Sequence, residues 1–152
     1  MKALFIGGTG TISMAISKLC LQKGWELYLL NRGNRNTTKG LEGAHFITVD
    51  VNDESAVEEK IRGMHFDVVG EFIGFVPSQL ERDYRLFKGK CDQFIYISSA
   101  SAYQKPCRDF LITEKTALAN PYWQYSRDKI DCENYLMKLY REENFPVTIV
   151  RP

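Results

Sequence analysis

The sequence has few of the residues that build metal sites or disulfide frameworks. It contains two histidines and four cysteines, and the cysteines, at positions 20, 91, 107 and 132, show no C-x-x-C spacing. Zinc sites need these residue types clustered at short intervals. We therefore expect no metal site, and we expect reduced thiols in a cytoplasmic protein.

Long hydrophobic runs and an excess of one charge are also missing. The first apolar run, residues 3–6, is too short for the core of a signal peptide, and no run approaches the length that spans a bilayer. The 20 Lys and Arg residues balance 19 Asp and Glu residues, which leaves a net charge of +1. This balance gives no bulk electrostatic reason to bind nucleic acid or a membrane surface, and we expect neither partner.

Short apolar runs instead alternate with amphipathic stretches over 152 residues, the length of one domain. We predict strands near residues 3–6, 26–30, 45–49, 66–69, 94–97 and 147–150. Helices are predicted from Thr11 onward and over residues 54–62, 77–88 and roughly 122–143. This alternation predicts an α/β fold: a doubly wound parallel sheet with helices on both faces, strand order 3-2-1-4-5-6, and ligands at the carboxyl ends of the strands.

The stretch from Lys2 to Ser13, KALFIGGTGTIS, organises this prediction. A buried strand is followed by Gly7, Gly8 and Gly10 and then by a helix. The unpaired N–H groups and the positive end of the helix dipole therefore point at one place, where they can bind a diphosphate. The spacing fits the glycine-rich fingerprint of diphosphate-binding turns in two ways, as Gly8-x-Gly10-x-x-Ser13 or as Gly7-x-x-Gly10-x-x-Ser13. Ser13 replaces the usual third glycine, and we expect slightly looser packing of helix and strand. The flanking strand and helix argue against a bare loop.

Hydrophobic periodicity assigns an inner face to two of the helices. The apolar stripe of the first helix is Ile12, Ala15, Ile16, Leu19 and Cys20. The stripe of the last helix is Cys132, Tyr135, Leu136 and Leu139. Beside that stripe, Trp123 is expected in the core, and Asp131 and Glu133 are expected on a solvated face.

Two polar groups follow strand five toward the carboxyl edge of the sheet. One is the serine turn, residues 98–103, and the other is Tyr125 with Lys129, which share one helical face. An ammonium beside a phenol favours the phenolate and lowers the phenol pKa, so the phenol can exchange a proton with a substrate hydroxyl. With a serine to hold the same oxygen, this trio suits reversible hydride transfer with a bound nicotinamide.

The Y-x-x-x-K spacing alone is weak, since the chain contains it twice. Tyr84 and Lys88 have the same spacing. That pair precedes strand five on a helix that should pack against the sheet, so we interpret it as structural. Tyr125 and Lys129 follow the serine turn, where the carboxyl edge is close. Position therefore favours the second pair as the functional one.

At this point the sequence resembles a known family, the extended short-chain dehydrogenase/reductases, also called the NAD-dependent epimerase/dehydratase family. The resemblance covers essentially the whole chain and rests on Gly7-x-x-Gly10, Asp50, the serine turn, Tyr125-x-x-x-Lys129 and the closing Arg151-Pro152. It implies an NAD(P)-binding Rossmann domain over residues 1–152, with Ser99, Tyr125 and Lys129 as catalytic residues. Ser99 is chosen because it lies four residues before Tyr103, as in the family's S-x-x-x-Y turn. In that family the chain continues past the Arg-Pro and builds most of the substrate lobe, so the resemblance implies either a fragment of a longer protein, which we favour, or a minimal domain that needs a partner.

The same resemblance implies the cofactor-binding residues. They are Gly7, Thr9, Gly10, Thr11, Ile12, Asn31, Arg32, Asp50, Val51, Phe72, Ile73, Gly74 and Lys129. Asp50 and Val51 resemble the pair that contacts the adenine, and Lys129 would also hold the nicotinamide ribose. Glu71 stands where the family often has histidine, a departure for which the sequence offers no physical account.

The end of strand two bears on the choice of cofactor. NAD-binding proteins commonly carry a carboxylate there for the ribose hydroxyls, whereas this chain has Asn31 followed by Arg32, with Arg35 close by. Arginine can form a charge-assisted contact with the 2′-phosphate of NADP, which a carboxylate would repel. We therefore predict NADP over NAD, although loop arginines are often merely solvated.

Two classes of function follow. The first is an NAD(P)-dependent oxidoreductase or epimerase, with a small-molecule substrate that the resemblance suggests is a nucleotide sugar, and a possible homodimer. Sugar 4,6-dehydratase chemistry is disfavoured because Ala100 and Ser101 replace that group's acidic pair. The alternative is a non-catalytic Rossmann protein that senses a dinucleotide or binds RNA. Some family relatives bind RNA, and their second strand ends similarly to residues 31–33.

Overall fold

The strands form one parallel sheet. The computed structural model describes residues 1–33, 39–108 and 110–152, and the predicted contribution of Arg35 lies outside these ranges. The strands are β1 (Lys2–Ile6), β2 (Glu26–Asn31), β3 (His45–Thr48), β4 (Val68–Glu71), β5 (Phe94–Ile97) and β6 (Val147–Val150). Every pairing is parallel, and the order is β3-β2-β1-β4-β5-β6. The predicted strand order is confirmed.

The helices follow the strands in chain order. They are α1 (Thr11–Gln22), α2 (Glu54–Lys60), α3 (Pro77–Phe87) and α4 (Gln124–Glu143), and a short 3₁₀ turn covers Ala100–Ala102. Local sequence sets several boundaries. The Asp53 carboxylate caps α2 by accepting from the Ala56 N–H at 3.0 Å. Pro77 opens α3, where its missing N–H costs nothing, and Asn144 ends α4 in the left-handed region at φ 54°.

The sheet separates two apolar clusters. Along β1, Leu4 and Ile6 join one cluster while Ala3 and Phe5 join the other, all of them buried. This alternation follows from the two-residue period of a strand. It agrees with the prediction that β1 is buried on both faces, as in a sheet covered by helices on each side. On α4 the buried stripe contains Cys132, Leu136 and Leu139, as predicted.

The predicted inner face of α1 is confirmed at Cys20, and Ile16 packs against the same apolar cluster, but the prediction is wrong for Ile12 and Leu19. Ile12 and Leu19 are about half exposed, at 52% and 50%, and the buried residues are Ser13, Ser17 and Cys20. The helix lies against the glycine turn, whose carbonyl groups need hydrogen-bond donors. Small hydroxyl side chains meet that need, so they take the contact positions that periodicity assigned to larger apolar residues.

In the part of the chain that the structure describes, no helix combines the length and the apolar character needed to cross a bilayer.

The turn after β1 is sterically closed to side chains. Gly7 has φ +79°, and a Cβ built there would lie 2.3 Å from Ile73 Cγ2. Gly63 has a similar φ of +71°, but nothing lies within 4 Å of the corresponding position. We therefore expect Gly63→Ala to cost about 1 kcal/mol for the backbone alone. Gly7→Ala should cost roughly 1–3 kcal/mol more, because the added methyl overlaps Ile73.

Chemical denaturation of the two variants and the unmodified chain measures this difference. Gly63→Ala is the matched control, since it introduces the same methyl at a similar backbone angle. Equal losses of unfolding free energy would contradict the close contact between Gly7 and Ile73.

Candidate functional site

A cavity of about 440 Å³ opens at the carboxyl ends of the first four strands. This volume lies within the range of small-molecule sites. Eight of the predicted cofactor-binding residues line it: Gly7, Thr9, Gly10, Asn31, Arg32, Asp50, Val51 and Ile73. The remaining predicted residues are not part of this lining: Thr11, Ile12, Phe72, Gly74 and Lys129. We refer to this cavity as the cleft.

The glycine turn forms one wall of the cleft, and two buried serines hold it. Ser13 Oγ donates to the Gly7 carbonyl at 2.7 Å and accepts from the Gly10 N–H at 2.8 Å. Ser17 Oγ donates to the Gly8 carbonyl at 2.9 Å. The Ser13 hydroxyl joins both ends of the turn, which a glycine could not do, and the slightly looser packing expected at this position stays a prediction. The first N–H groups of α1 have no partner within the helix, so the turn retains an anion-binding end.

Two polar turns form the opposite rim, after β2 and β3. Asn31 Oδ1 accepts from the Gly33 N–H at 2.8 Å. Asp50 Oδ1 accepts from the backbone N–H and the side-chain amide of Asn52, each at 3.0 Å. These local bonds fix the loop backbone, and they leave the Arg32 side chain exposed at the rim.

In the segment after β4, some residues line the cleft and others pack against the sheet. Ile73 and Phe75 line the cleft. The Phe72 ring instead packs edge-on against Phe5, with 5.2 Å between the ring centroids. The Gly74 carbonyl accepts from Tyr96 Oη at 3.1 Å. Phe72 and Gly74 therefore support the cleft, and their predicted contact with a cofactor stays a prediction.

Lys129 connects the segment after β4 to the end of β5. Its side chain is buried, and Nζ donates to the Gly74 carbonyl at 2.7 Å and to the Ile97 carbonyl at 2.8 Å. These carbonyls lie just beyond β4 and at the end of β5, so the ammonium bridges two neighbouring strand ends. Burial lowers the pKa of Lys129. The ammonium lies 5.7 Å from the centre of the Tyr125 ring.

Tyr125 lies at the surface beside the cleft. Its ring is half-buried, 6.2 Å from the Phe75 ring and 4.8 Å from the Trp123 ring. Since Phe75 lines the cleft, the phenol is close to the edge where a ligand would lie. The prediction that Trp123 belongs to the core is wrong. It is 56% exposed and stands at the N-cap of α4, before the helix reaches the sheet.

Ser99 stands at the start of the 3₁₀ turn after β5. Its Oγ accepts from the Ser101 N–H at 3.2 Å, and the side chain is partly exposed. Ser101 in turn accepts from Ser126 Oγ at 3.0 Å, and its carbonyl accepts from the Asn120 amide at 2.8 Å. These bonds connect the serine turn to the first turn of α4, which carries Tyr125. The structure thus brings the three predicted catalytic residues to one edge of the sheet.

Glu133 is a structural anchor that periodicity placed wrongly. Asp131 is exposed as expected, but Glu133 is 2% exposed. Its carboxylate accepts from Ser98 Oγ at 2.5 Å and from Arg151 Nη2 at 2.5 Å. Hydrogen bonds to Glu133 raise the pKa of the Arg151 guanidinium. A charged group can occupy this buried position because its partners come from the chain directly after β5 and directly after β6.

The second Y-x-x-x-K pair has a different environment. The Tyr84 ring packs edge-on against Phe145 at 5.1 Å, and Lys88 pairs with Glu143 at 3.0 Å on the exposed surface. Neither Tyr84 nor Lys88 lines the cleft. These contacts agree with the structural interpretation of this pair.

Sequence reasoning missed a buried charged cluster of Glu71, Arg82 and Asp83 under the cleft. Asp83 Oδ1 accepts from Nε and Nη2 of Arg82, at 2.9 and 2.7 Å. Burial and the neighbouring Asp83 raise the pKa of Glu71 well above its ordinary value, and burial raises that of Asp83. The available signal was Asp83 itself, which stands three residues from both Leu80 and Leu86, on the apolar face of α3.

One shared proton explains this cluster. As bare carboxylates, Glu71 Oε2 and Asp83 Oδ2 would both be buried without a hydrogen-bond partner, and the two groups are close enough for each to influence the pKa of the other. If Glu71 is protonated, it donates to Asp83 and both oxygens are satisfied. Its other oxygen accepts from the Ile73 N–H. A neutral acid at position 71 is therefore the physical account of this departure from the family pattern.

Residues 3–152 match the family model described as NAD dependent epimerase/dehydratase family. Among curated proteins, the chloroplast stem-loop binding protein of 41 kDa b from Arabidopsis thaliana is 29% identical over 116 residues. That match covers 68% of this chain and 30% of the Arabidopsis protein.

Solved structures with the same fold include two epimerases and a dehydratase. The UDP-Glc/GlcNAc 4-epimerase of Campylobacter jejuni matches with a TM-score of 0.83 at 20% identity, over 99% of this chain and 52% of its own. The UDP-glucose 4-epimerase of Bifidobacterium longum, in complex with NAD+ and UDP, matches with a TM-score of 0.84 at 18% identity, over 99% of this chain and 52% of its own. The dTDP-glucose 4,6-dehydratase of Bacillus anthracis, in complex with NAD, matches with a TM-score of 0.81 at 19% identity, over 99% of this chain and 54% of its own. This chain spans about half the length of these proteins.

The protonation of Glu71 predicts a pH dependence of stability. Because its pKa in the folded chain lies above the ordinary value of 4.5, the folded state binds the proton more tightly than the unfolded state. The stabilisation that this proton gives the folded state is complete at pH values below the ordinary pKa and is lost as the pH rises toward the pKa of the folded chain. The unmodified chain should therefore lose up to about 1.4 kcal/mol per pH unit relative to Glu71→Gln, while Glu71 keeps its proton. The glutamine supplies the same acceptor and donor without a titrating proton.

Urea denaturation at several pH values between about 5 and 8 measures this difference. Glu81→Gln, an exposed change on α3, the helix that carries Asp83, is the control and should follow the unmodified chain. If the curves for Glu71→Gln and the unmodified chain run parallel, Glu71 does not hold the shared proton.

Proposed function

The chain belongs to the NAD dependent epimerase/dehydratase family, and we propose that it binds NADP or NAD in the cleft as part of an oxidoreductase or epimerase. The observation that carries this proposal is the convergence of the glycine turn, Tyr125 and Lys129 on one edge of the sheet, with Phe75 shared between the cleft and the Tyr125 ring. The NAD bound to the epimerase of B. longum and to the dehydratase of B. anthracis supports it.

The residues of the cleft fit a dinucleotide. Gly7 and Gly10 present backbone without side chains to the cleft, and a Cβ at Gly7 would collide with Ile73, another residue of the lining. The N-terminus of α1 opens into the same turn and favours a diphosphate. The polar turns at Asn31 and Asp50 supply acceptors and donors for an adenosine at the other rim.

The chemistry then divides among three side chains. When bound, the nicotinamide would accept or return a hydride at a substrate carbon. Tyr125 would take the proton of the substrate hydroxyl or return it to the carbonyl, and Ser99 would hold the same oxygen. The buried Lys129 ammonium, 5.7 Å from the Tyr125 ring centre, would stabilise negative charge as it develops on the phenol.

We propose a nucleotide sugar as the substrate class, with an additional substrate lobe outside residues 1–152. The epimerases of C. jejuni and B. longum, by their names, act on UDP-sugars, and this chain spans about half of each. Ala100 and Ser101 offer no carboxylic acid to expel a hydroxyl, so oxidation or epimerisation fits the site better than dehydration. A homodimer that includes α4 is part of this proposal.

A second candidate is RNA binding without catalysis. The identity of 29% to the Arabidopsis stem-loop binding protein favours it. The net charge of +1 argues against it, because phosphate neutralisation dominates the affinity of RNA-binding proteins.

Replacement of the phenol tests the enzymatic proposal. In the natural full-length protein, Tyr125→Phe should lower kcat on a sugar-nucleotide panel by about 10²-fold or more, since it removes the acid/base group. NADPH affinity should stay within about twofold, because the aromatic ring remains. Stopped-flow absorbance of the nicotinamide and fluorescence titration measure the two quantities.

Tyr84→Phe is the matched control, since Tyr84 has the same spacing to a lysine but packs against Phe145. It should leave kcat unchanged. Equal effects of the two substitutions would contradict the assignment of Tyr125. Cofactor binding without turnover, together with tight binding of a stem-loop RNA, would favour the second candidate.

The proposed preference for NADP depends on Arg32 at the rim of the cleft. Arg32→Ala should weaken NADPH binding by about tenfold or more, because it removes a charge-assisted contact to the 2′-phosphate, and should change NADH binding little. Calorimetric titration with both cofactors measures the two affinities. Arg62→Ala, another exposed arginine, is the control. An equal loss for NADPH and NADH would contradict a phosphate contact.

A further inference from the structure

Arg82 is a buried arginine that reaches the cleft from α3. Its side chain is only 6% exposed, yet it lines the cleft. Two of its nitrogens donate to Asp83 Oδ1 at 2.9 and 2.7 Å, and Nη1 donates to Asn52 Oδ1 at 2.7 Å. The guanidinium plane is therefore held by α3 on one side and by the turn after β3 on the other.

The cluster around Arg82 is electrically balanced. Glu71 Oε2 lies 4.0 Å from Arg82 Nη2, beyond hydrogen-bonding distance. With the proton shared by Glu71 and Asp83, the one remaining negative charge of the pair matches the guanidinium. Arg82 is consequently a fixed donor whose charge is already compensated. Such a group is better suited to neutral acceptors than to the neutralisation of a phosphate.

Arg82 also has donors to spare. A guanidinium carries five N–H groups, and Asp83 and Asn52 take three of them within the described residues. Asn52 belongs to the same turn as Asp50 and Val51, which also line the cleft. Because Nη1 binds Asn52, its second N–H lies beside the rim proposed for the adenosine, whereas the glycine turn is proposed to hold the diphosphate.

On the basis of the proposed function, we propose that Arg82 contacts the adenosine end of the bound dinucleotide, donating to ring nitrogens of the purine, while Asp83 and Asn52 hold its guanidinium in position. Arg82 is thus a binding residue contributed by α3, and Asp83 and Asn52 are positioning residues. This assigns a function to a cluster that lies outside the glycine fingerprint and outside the residues around Tyr125.

Arg82→Gln tests the contact, with ADP and NADPH as the probes. The variant should lose about tenfold or more in affinity for both, by the same factor, because both carry the adenosine. Inorganic pyrophosphate, used as a competitor of NADPH, should compete equally well in the variant and the unmodified chain. Arg85→Gln is the matched control, since Arg85 lies on the same helix, is exposed and pairs with Glu54. It should bind both nucleotides normally.

A measurement on the unmodified chain keeps the test decisive if Arg82→Gln does not fold. Nuclear Overhauser effects between the Arg82 side chain and the H2 or H8 proton of bound ADP are expected. Their absence in a saturated complex, or unchanged ADP affinity in a folded Arg82→Gln variant, would overturn the inference and leave the proposed function standing. A loss of pyrophosphate competition alone would place Arg82 at the diphosphate and would also overturn it. If neither ADP nor NADPH binds the unmodified chain, the proposed function fails, and this inference fails with it.

Discussion

The arrangement of the candidate site depends on one buried ammonium group. Lys129 Nζ binds the carbonyls of Gly74 and Ile97, and so connects α4 to the ends of two neighbouring strands. A buried lysine without partners would lose its proton or destabilise the fold, so these carbonyl oxygens are what allow a charge beneath the surface. Through the same contacts, Tyr125, one helical turn earlier, is held beside the cleft and close to the serine turn.

Two further buried charges extend this principle along the same edge. Glu133 binds Ser98 and Arg151, which fixes the backbone next to Ser99. Arg82 binds Asp83 and Asn52, with a neutral Glu71 behind them. Each charge is compensated inside the fold, since the removal of one partner from a buried pair is costly. The carboxyl edge is therefore built from compensated polar groups, whereas apolar packing holds the middle of the sheet.

The fold could be predicted because its signals are local. Apolar runs, glycines and capping residues set the strands and their order, and β5 and β6 have the predicted bounds. The errors come from polar contacts that the apolar periodicity of a helix does not show. Periodicity gave α1 an apolar inner face, but the carbonyls of the glycine turn required Ser13 and Ser17 there. It placed Glu133 in solvent, because nothing near it in the sequence shows that Arg151 would supply a counter-charge. The Arg82 cluster was missed for the same reason.

Binding of a dinucleotide in the cleft, at the carboxyl ends of the strands, can be followed by NADPH titration of the isotopically labelled chain with amide chemical shifts as the readout. We expect the largest shifts in the glycine turn after β1, at Arg32 and Gly33, at Val51 and Asn52, and at Ile73. Shifts centred instead on the second cavity, of about 380 Å³ between Ala119 and Asp131, or no shifts at saturating NADPH, would contradict binding in the cleft.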